Sequence, residues 1–190
     1  MKVRKKYGIA GSYFHLPNQF WRHKNHTVVV EAMRLLKQNG NAVTVVCTGN
    51  TADHRHPEYF SGLMQTVEEY GLTGQFKVLG VVPFADLIAI MHNSVALINP
   101  SLFEGWSTTV EESKLLGKII LLSEIDVHVE QAPPRGLYFD PHDAGALAAL
   151  MEEIMRSTSA DTPPSPAALL EARRQFARNY QRIVLEVVAA

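Results

Sequence analysis

The 190-residue chain has a single cysteine, no long apolar run and almost no net charge, with eighteen basic against nineteen acidic residues. Each shortage excludes a class of protein. One cysteine allows no internal disulfide, and Cys47 stands inside the apolar run Val43-Thr44-Val45-Val46-Cys47, where a buried, reduced thiol is expected. No apolar stretch of eighteen residues occurs, so no transmembrane segment is expected. The basic start Met1-Lys2-Val3-Arg4-Lys5-Lys6 leads into Tyr7-Gly8-Ile9-Ala10-Gly11-Ser12, too short and mixed for the apolar part of a signal peptide. These features point to the cytoplasm. A formal charge of -1 supplies no field to gather nucleic acid or an anionic membrane, so any anion must be bound locally. Asp-x-Asp, G-x-G-x-x-G, a Walker loop and a G-x-S-x-G elbow are all missing, which counts against a carboxylate-held divalent ion, a dinucleotide oxidoreductase, a P-loop enzyme and a hydrolase of that type. His54 and His56 share a charged loop with no cysteine or third ligand, and no metal is expected there.

What is present is a rhythm. Strands are expected at Ser12 to Leu16, Ala42 to Thr48, Gln75 to Leu79, Val95 to Asn99, Ile119 to Ser123 and Gly136 to Phe139. Between them, helices are expected near Asn25 to Gln38, Pro57 to Tyr70, Phe84 to His92, Thr108 to Leu116 and Asp143 to Met155. In the first of these, Val28, Ala32, Leu35 and Leu36 share one side and Gly40 ends the helix. Such alternation predicts an α/β fold, a single Rossmann-like domain with a mostly parallel six-stranded sheet and helices on both faces. That domain is assigned to residues 1–156. The breaker-rich stretch through Pro163-Pro164-Ser165-Pro166 reads as a linker, residues 157–166. Residues 167–190 read as a C-terminal helix, with Leu169, Phe176, Tyr180, Ile183 and Val187 on one side and Arg174, Arg178 and Arg182 on the other.

The chemistry concentrates between Val95 and Gly117, where a strand ends, a polar loop follows and a helix begins. In open α/β sheets ligands sit at this junction, and the unpaired N–H groups of a helix start suit an anion such as phosphate. Gly105 allows close approach of backbone to a ligand, and Ser107, Thr108 and Thr109 can cap the helix or donate hydroxyls. A structural account is also open, because Thr108-x-x-Glu111 and Thr109-x-x-Glu112 both match the capping box. It leaves the charge of Glu104, in an apolar and aromatic loop, without a purpose.

Glu104-Gly105-Trp106-Ser107-Thr108-Thr109-Val110-Glu111-Glu112, preceded by Pro100-Ser101, resembles the E-x7-E motif of the group 1 (glycosyltransferase family 4) retaining glycosyltransferases. The resemblance implies one half of a GT-B fold, the donor-binding C-terminal domain. It assigns Glu104 to the donor sugar as a catalytic residue, Glu112 to the ribose hydroxyls, and the loop amides through Trp106 to the diphosphate. Leu16-Pro17-Asn18-Gln19-Phe20-Trp21-Arg22-His23-Lys24-Asn25-His26 resembles the phosphate loop of members with a K-N-H sequence. Lys24 then matches the lysine on the donor phosphates, its other reading being an exposed lysine at a helix start. Where many members have an arginine five residues earlier this chain has Gln19, and Arg22 is the candidate for the second charge. With Lys24 opening one helix and the Glu104 loop another, two helix N-termini are expected to converge on one diphosphate. Gly80-Val81-Val82-Pro83 resembles the place where backbone meets the base, around Val82. Ser123 to Gln131 resembles K-N-H members without an evident mechanical role.

The resemblance implies a nucleoside diphosphate sugar as substrate, no metal or other cofactor, and a glycan or lipid-linked acceptor as in cell-surface polysaccharide synthesis. It also implies an N-terminal acceptor domain, missing from this sequence, through which peripheral attachment to the cytoplasmic membrane would come. Alone, such a domain should bind donor but transfer no sugar. A non-catalytic nucleotide-binding module, or half of a GT-B epimerase or phosphorylase, fits the same residues.

Overall fold

The computed structural model describes residues 2–157. The elements run α1 (Lys2–Lys6), β1 (Phe14–Leu16), a 3-10 turn (Arg22–Lys24), α2 (His26–Gln38), β2 (Val45–Cys47), α3 (Tyr59–Glu69) and β3 (Phe76–Val78). They continue with α4 (Phe84–Asn93), β4 (Leu97–Asn99), α5 (Thr108–Leu116), β5 (Ile120–Ser123), α6 (Asp126–Gln131), β6 (Gly136–Phe139) and α7 (Ala144–Ser157). The strand order is β3-β2-β1-β4-β5-β6, and every pairing is parallel. This is the expected Rossmann-like sheet of six strands, and its order reverses direction between β1 and β4.

The pleat explains how so short a set of strands serves two layers of helices. Phe14, Leu16, Val45, Cys47, Ile98 and Leu121 join the core under α2, α3 and α7. Their neighbours Val46, Leu97, Ile120 and Leu122 pack on the opposite face, against α1, α4 and α5. Both faces are therefore dry, and Cys47 is buried as a free thiol. Helix α2 buries Val28, Val29, Ala32, Met33 and Leu36 and packs on α7, which presents Leu147, Ala148, Met151 and Ile154. Each such fully buried side chain stabilises the fold by roughly 1.5–3 kcal/mol, so this seam anchors α2 to α7. Gly40, at φ 79, turns the chain out of α2.

Strand β6 has the bounds expected from the sequence, and β1 to β5 are shorter than expected because the outer residues of those runs lie outside the paired register. Two short helices, α1 and α6, were not anticipated. The linker and C-terminal helix read from the sequence lie outside the described residues, apart from Ser157, which ends α7.

Candidate active site

At the carboxyl ends of β1 and β4, where the strand order reverses, a crevice of about 320 Å³ opens. The β1 loop supplies Gln19 and Lys24, the loop after β4 supplies Glu104 and Trp106, and α5 brings Ser107, Thr108 and Thr109. Val82, before α4, closes one side with Val81 and Leu87. The sequence-chosen residues Arg22, Gly105 and Glu112 do not line it.

Lys24 is not an exposed helix-start lysine. Its Nζ donates to both carboxylate oxygens of Glu104, at 2.6 and 2.8 Å, with the two side chains only 13% and 9% exposed. A pair this dry is held by geometry, since each partner alone would be a costly buried charge. That geometry has identifiable causes. Asn25 adopts the left-handed conformation at φ 55, which asparagine tolerates better than most residues. Its side-chain amide donates to the carbonyls of Pro100 (3.1 Å) and Pro141 (2.8 Å), tying the β1 loop to the loops after β4 and β6. His26 is fully buried and stacks on Phe20 at 4.2 Å, and burial pushes its imidazole down to about 3. The three residues of the Lys-Asn-His run thus have separate duties: the charge, the turn and the anchor.

Glu104 is held from the other side by a buried polar network. The Ser101 hydroxyl lies 2.7 Å from Glu104 Oε1 and 2.9 Å from Asn99 Oδ1, its one proton available to either. Asn99 is the hub. Its Oδ1 accepts from Asn18 Nδ2 at 2.9 Å, and its Nδ2 donates to Ser107 Oγ at 2.7 Å. The same amide faces His128 Nε2 at 3.4 Å. His128 Nδ1 sits 2.8 Å from the Ser123 carbonyl, so the proton belongs on Nδ1 and Nε2 is free to accept. Burial lowers the pKa of His128, favouring that neutral form. From α6, Gln131 grips the backbone of Ser107, accepting from its N–H (3.3 Å) and donating to its carbonyl (2.9 Å). The Ser123 to Gln131 stretch therefore has a mechanical role after all: it props the Glu104 loop from beneath.

Ser107 is the cap of α5, its hydroxyl accepting from Val110 N–H at 3.4 Å. Neither anticipated capping box forms, because Ser107 as the cap puts Val110 in the third helical position and leaves Glu111 and Glu112 one and two positions too late. Glu111 instead pairs with Lys114 and accepts from Gln131. Glu112 is half-buried, and desolvation raises its pKa above the ordinary carboxylate value. A Cβ on Gly105 would meet nothing within 4 Å, so internal packing does not demand a glycine there. Gly49 is different: at φ 141 its missing Cβ would overlap the Asn18 carbonyl, so the β2 end can press against the β1 loop only as glycine.

Two expectations about charge change. Arg22 faces a neighbouring depression instead of the crevice, because the 3-10 turn carries it round to the other side of Lys24. Only one of the two helix starts reaches the crevice. Residues 25 to 28 do not line it, since Asn25 turns the start of α2 aside. Gln19 braces the crevice wall, its Oε1 accepting from the Asn50 N–H at 2.7 Å. Among the described residues no group of three histidine, cysteine or acidic side chains could hold a metal ion, and no helix is long and apolar enough to cross a membrane.

Residues 6–181 match the family model of the glycosyl transferases group 1. The chain belongs to this family. Among curated relatives, the O-antigen chain mannosyltransferase RfbU of Salmonella typhimurium is 25% identical over 143 residues, 75% of this chain and 38% of that protein. The serotype-specific mannosyltransferase WbdA of Escherichia coli is 30% identical over 101 residues, 53% of this chain and 12% of that protein. Among solved structures, Anabaena Alr3699/HepE, crystallised with UDP, superposes with a TM-score of 0.83 at 19% identity, covering 100% of this chain and 52% of that one. A glycosyltransferase from Rickettsia africae gives 0.81 at 22% identity, covering 98% and 51%. The fold is thus the Rossmann-like half of a GT-B glycosyltransferase, and the chain spans about half of these solved relatives.

Proposed function

We propose that this chain is the donor-binding half of a retaining group 1 glycosyltransferase of the family 4 type, taking a nucleoside diphosphate sugar and passing a hexose to a glycan or lipid-linked acceptor. The observation that carries the reading is the convergence of Lys24, Glu104 and the start of α5 on one crevice at the strand-order reversal. The diphosphate would lie between Lys24 and the amides from Gly105 to Thr109. There a preorganised cation and helix start would stabilise charge developing on the leaving group. Glu104 would accept from hydroxyls of the donor sugar, and Glu112 from the ribose. Gly105, free of packing demands, would leave room for the phosphates to approach the chain. Val81 and Val82 would flank the base. No metal is required in this scheme, because Lys24 and the helix start do the neutralising.

The acceptor's sugar would be held by a second domain on sequence beyond this chain, so the chain alone should bind donor without transferring sugar. The mannosyltransferase relatives favour a mannosyl donor, and the Anabaena complex makes UDP a natural second probe. Thermal unfolding with UDP, GDP, UDP-glucose and GDP-mannose tests the reading. A ligand at a hundred times its Kd should add about 2.7 kcal/mol of stability. No shift with any of the four, or robust transfer by this chain alone, would overturn it.

A further inference from the structure

The 3-10 turn Arg22–Lys24 works as a partition. With three residues per turn, residues i and i+3 share a side. Trp21 and Lys24 accordingly line the crevice. Arg22 and His23 line a separate depression of about 410 Å³, with Asp53, Arg55, His56 and Leu102. It holds two guanidinium groups and one carboxylate, an arrangement that would ordinarily be a set of salt bridges. It is not. Neither arginine side chain is in an ion pair among the described residues. The acid between them is occupied by backbone: Asp53 Oδ2 accepts from the Arg22 N–H at 3.1 Å and Oδ1 from the Arg55 N–H at 3.0 Å. Asp53, only 7% exposed, thus anchors the two arginine main chains around one hollow and leaves both forks of donors unspent. The hollow adjoins the Glu104 loop, because the Leu102 N–H donates to the His23 carbonyl at 2.8 Å. Exposed apolar surface lies beside it, with Leu102 39% and Phe103 68% accessible.

We propose that this depression binds the phosphate group of the acceptor, with Arg22 and Arg55 donating to its oxygens. Guanidinium forks match phosphate oxyanions in geometry and charge, and His23 and His56 add donors at the rim. The inference rests on the glycosyltransferase reading, since a second anion site beside a donor diphosphate has a use where the acceptor is itself phosphorylated. The phosphate could sit on a lipid carrier, which Leu102 and Phe103 would suit, or on a glycan.

The test titrates the full chain, labelled with 15N, with methyl phosphate and with geranyl phosphate, alone and with UDP present. Amides of Arg22, His23, Arg55 and His56 report the depression, and those of Trp106 and Thr108 the crevice. The depression amides should move and saturate with or without UDP. Arg55→Gln keeps the backbone N–H on Asp53 and alters an exposed side chain, so folding is not at stake. It should weaken this response about tenfold, the loss of one charge-assisted hydrogen bond, and leave the UDP response unchanged. Tighter binding of geranyl phosphate supports a lipid-borne acceptor and equal binding a phosphorylated glycan; either supports the site. Depression amides that stay still with both probes, or move equally in Arg55→Gln, overturn the proposal. The crevice response to UDP reads donor binding separately, so the two readings can fail independently.

Discussion

Removing the ammonium of Lys24 separates what the ion pair does for the fold from what it does for a ligand. Lys24→Ala leaves Glu104 largely buried without its cation and should cost about 3 kcal/mol, measured by urea unfolding. Adding Glu104→Ala should recover much of that stability while nucleotide binding stays lost, a pattern that a purely structural pair would not give. Gly105→Ala is the complementary case. With nothing near its Cβ, stability should be unchanged, and a clear loss of nucleotide affinity in calorimetry would identify close approach by the phosphates. Glu112 adds a pH dependence. Its folded pKa is raised by desolvation, so its ionised form opposes folding above that pKa and the penalty fades as pH falls below it. Glu112→Gln should therefore stabilise the chain at neutral pH and not at low pH. Nucleotide affinity should fall as pH drops through the same titration in the natural chain and stay flat in Glu112→Gln. Lys24 and Glu104 were legible because motif spacing survives in the sequence. Asn99 was not, because its partners Asn18 and His128 lie 81 and 29 residues away and only the finished sheet brings them together. Arg22 was misplaced for a local reason: nothing in the sequence shows that a turn of period three separates it from Lys24.

At the scale of elements, α6 has an influence out of proportion to its six residues. It buries Gln131 against the start of α5 and His128 beside Asn99 and Ser123, so it sets where the α5 amides point. Gln131→Ala removes both hydrogen bonds to the Ser107 backbone and one to Glu111. It should cost about 1–3 kcal/mol through the polar groups left behind, with faster amide exchange at Ser107 and Val110 before any change in the sheet. The longer helices were readable from their period, as α2 and α7 show. Helix α6 was not, because a single buried turn and a half carries no periodicity to detect. The cap at Ser107 was among the residues singled out beforehand. The choice of Ser107 over Thr108 or Thr109 is made by Asn99 of β4 and Gln131 of α6, which both hold Ser107.

For the molecule as a whole, the parallel six-stranded sheet followed from the alternation of apolar runs and helices, whereas the strand order β3-β2-β1-β4-β5-β6 is one of several that this alternation allows. The molecule's sensitivity to acid follows from two buried imidazoles. His15 and His26 are each pushed down to about 3 by burial, against about 6.5 when unfolded. Stability is therefore greatest above the unfolded value and is lost as pH falls towards the folded one, by up to about 1.4 kcal/mol per pH unit for each imidazole. Urea unfolding between about pH 7 and 4 should show this slope, and His26→Leu should remove its share. The Lys24–Glu104 contact has one more consequence, for turnover. On the proposed reading, a sugar nucleotide compensates both partners when it separates them, giving phosphate to the lysine and hydroxyls to the glutamate. Once the sugar has departed, the spent diphosphate compensates only the lysine, and the glutamate competes to take it back. The resting ion pair would then act as an ejector, hastening release of used nucleotide, and Glu104→Gln should slow UDP dissociation in stopped-flow measurements.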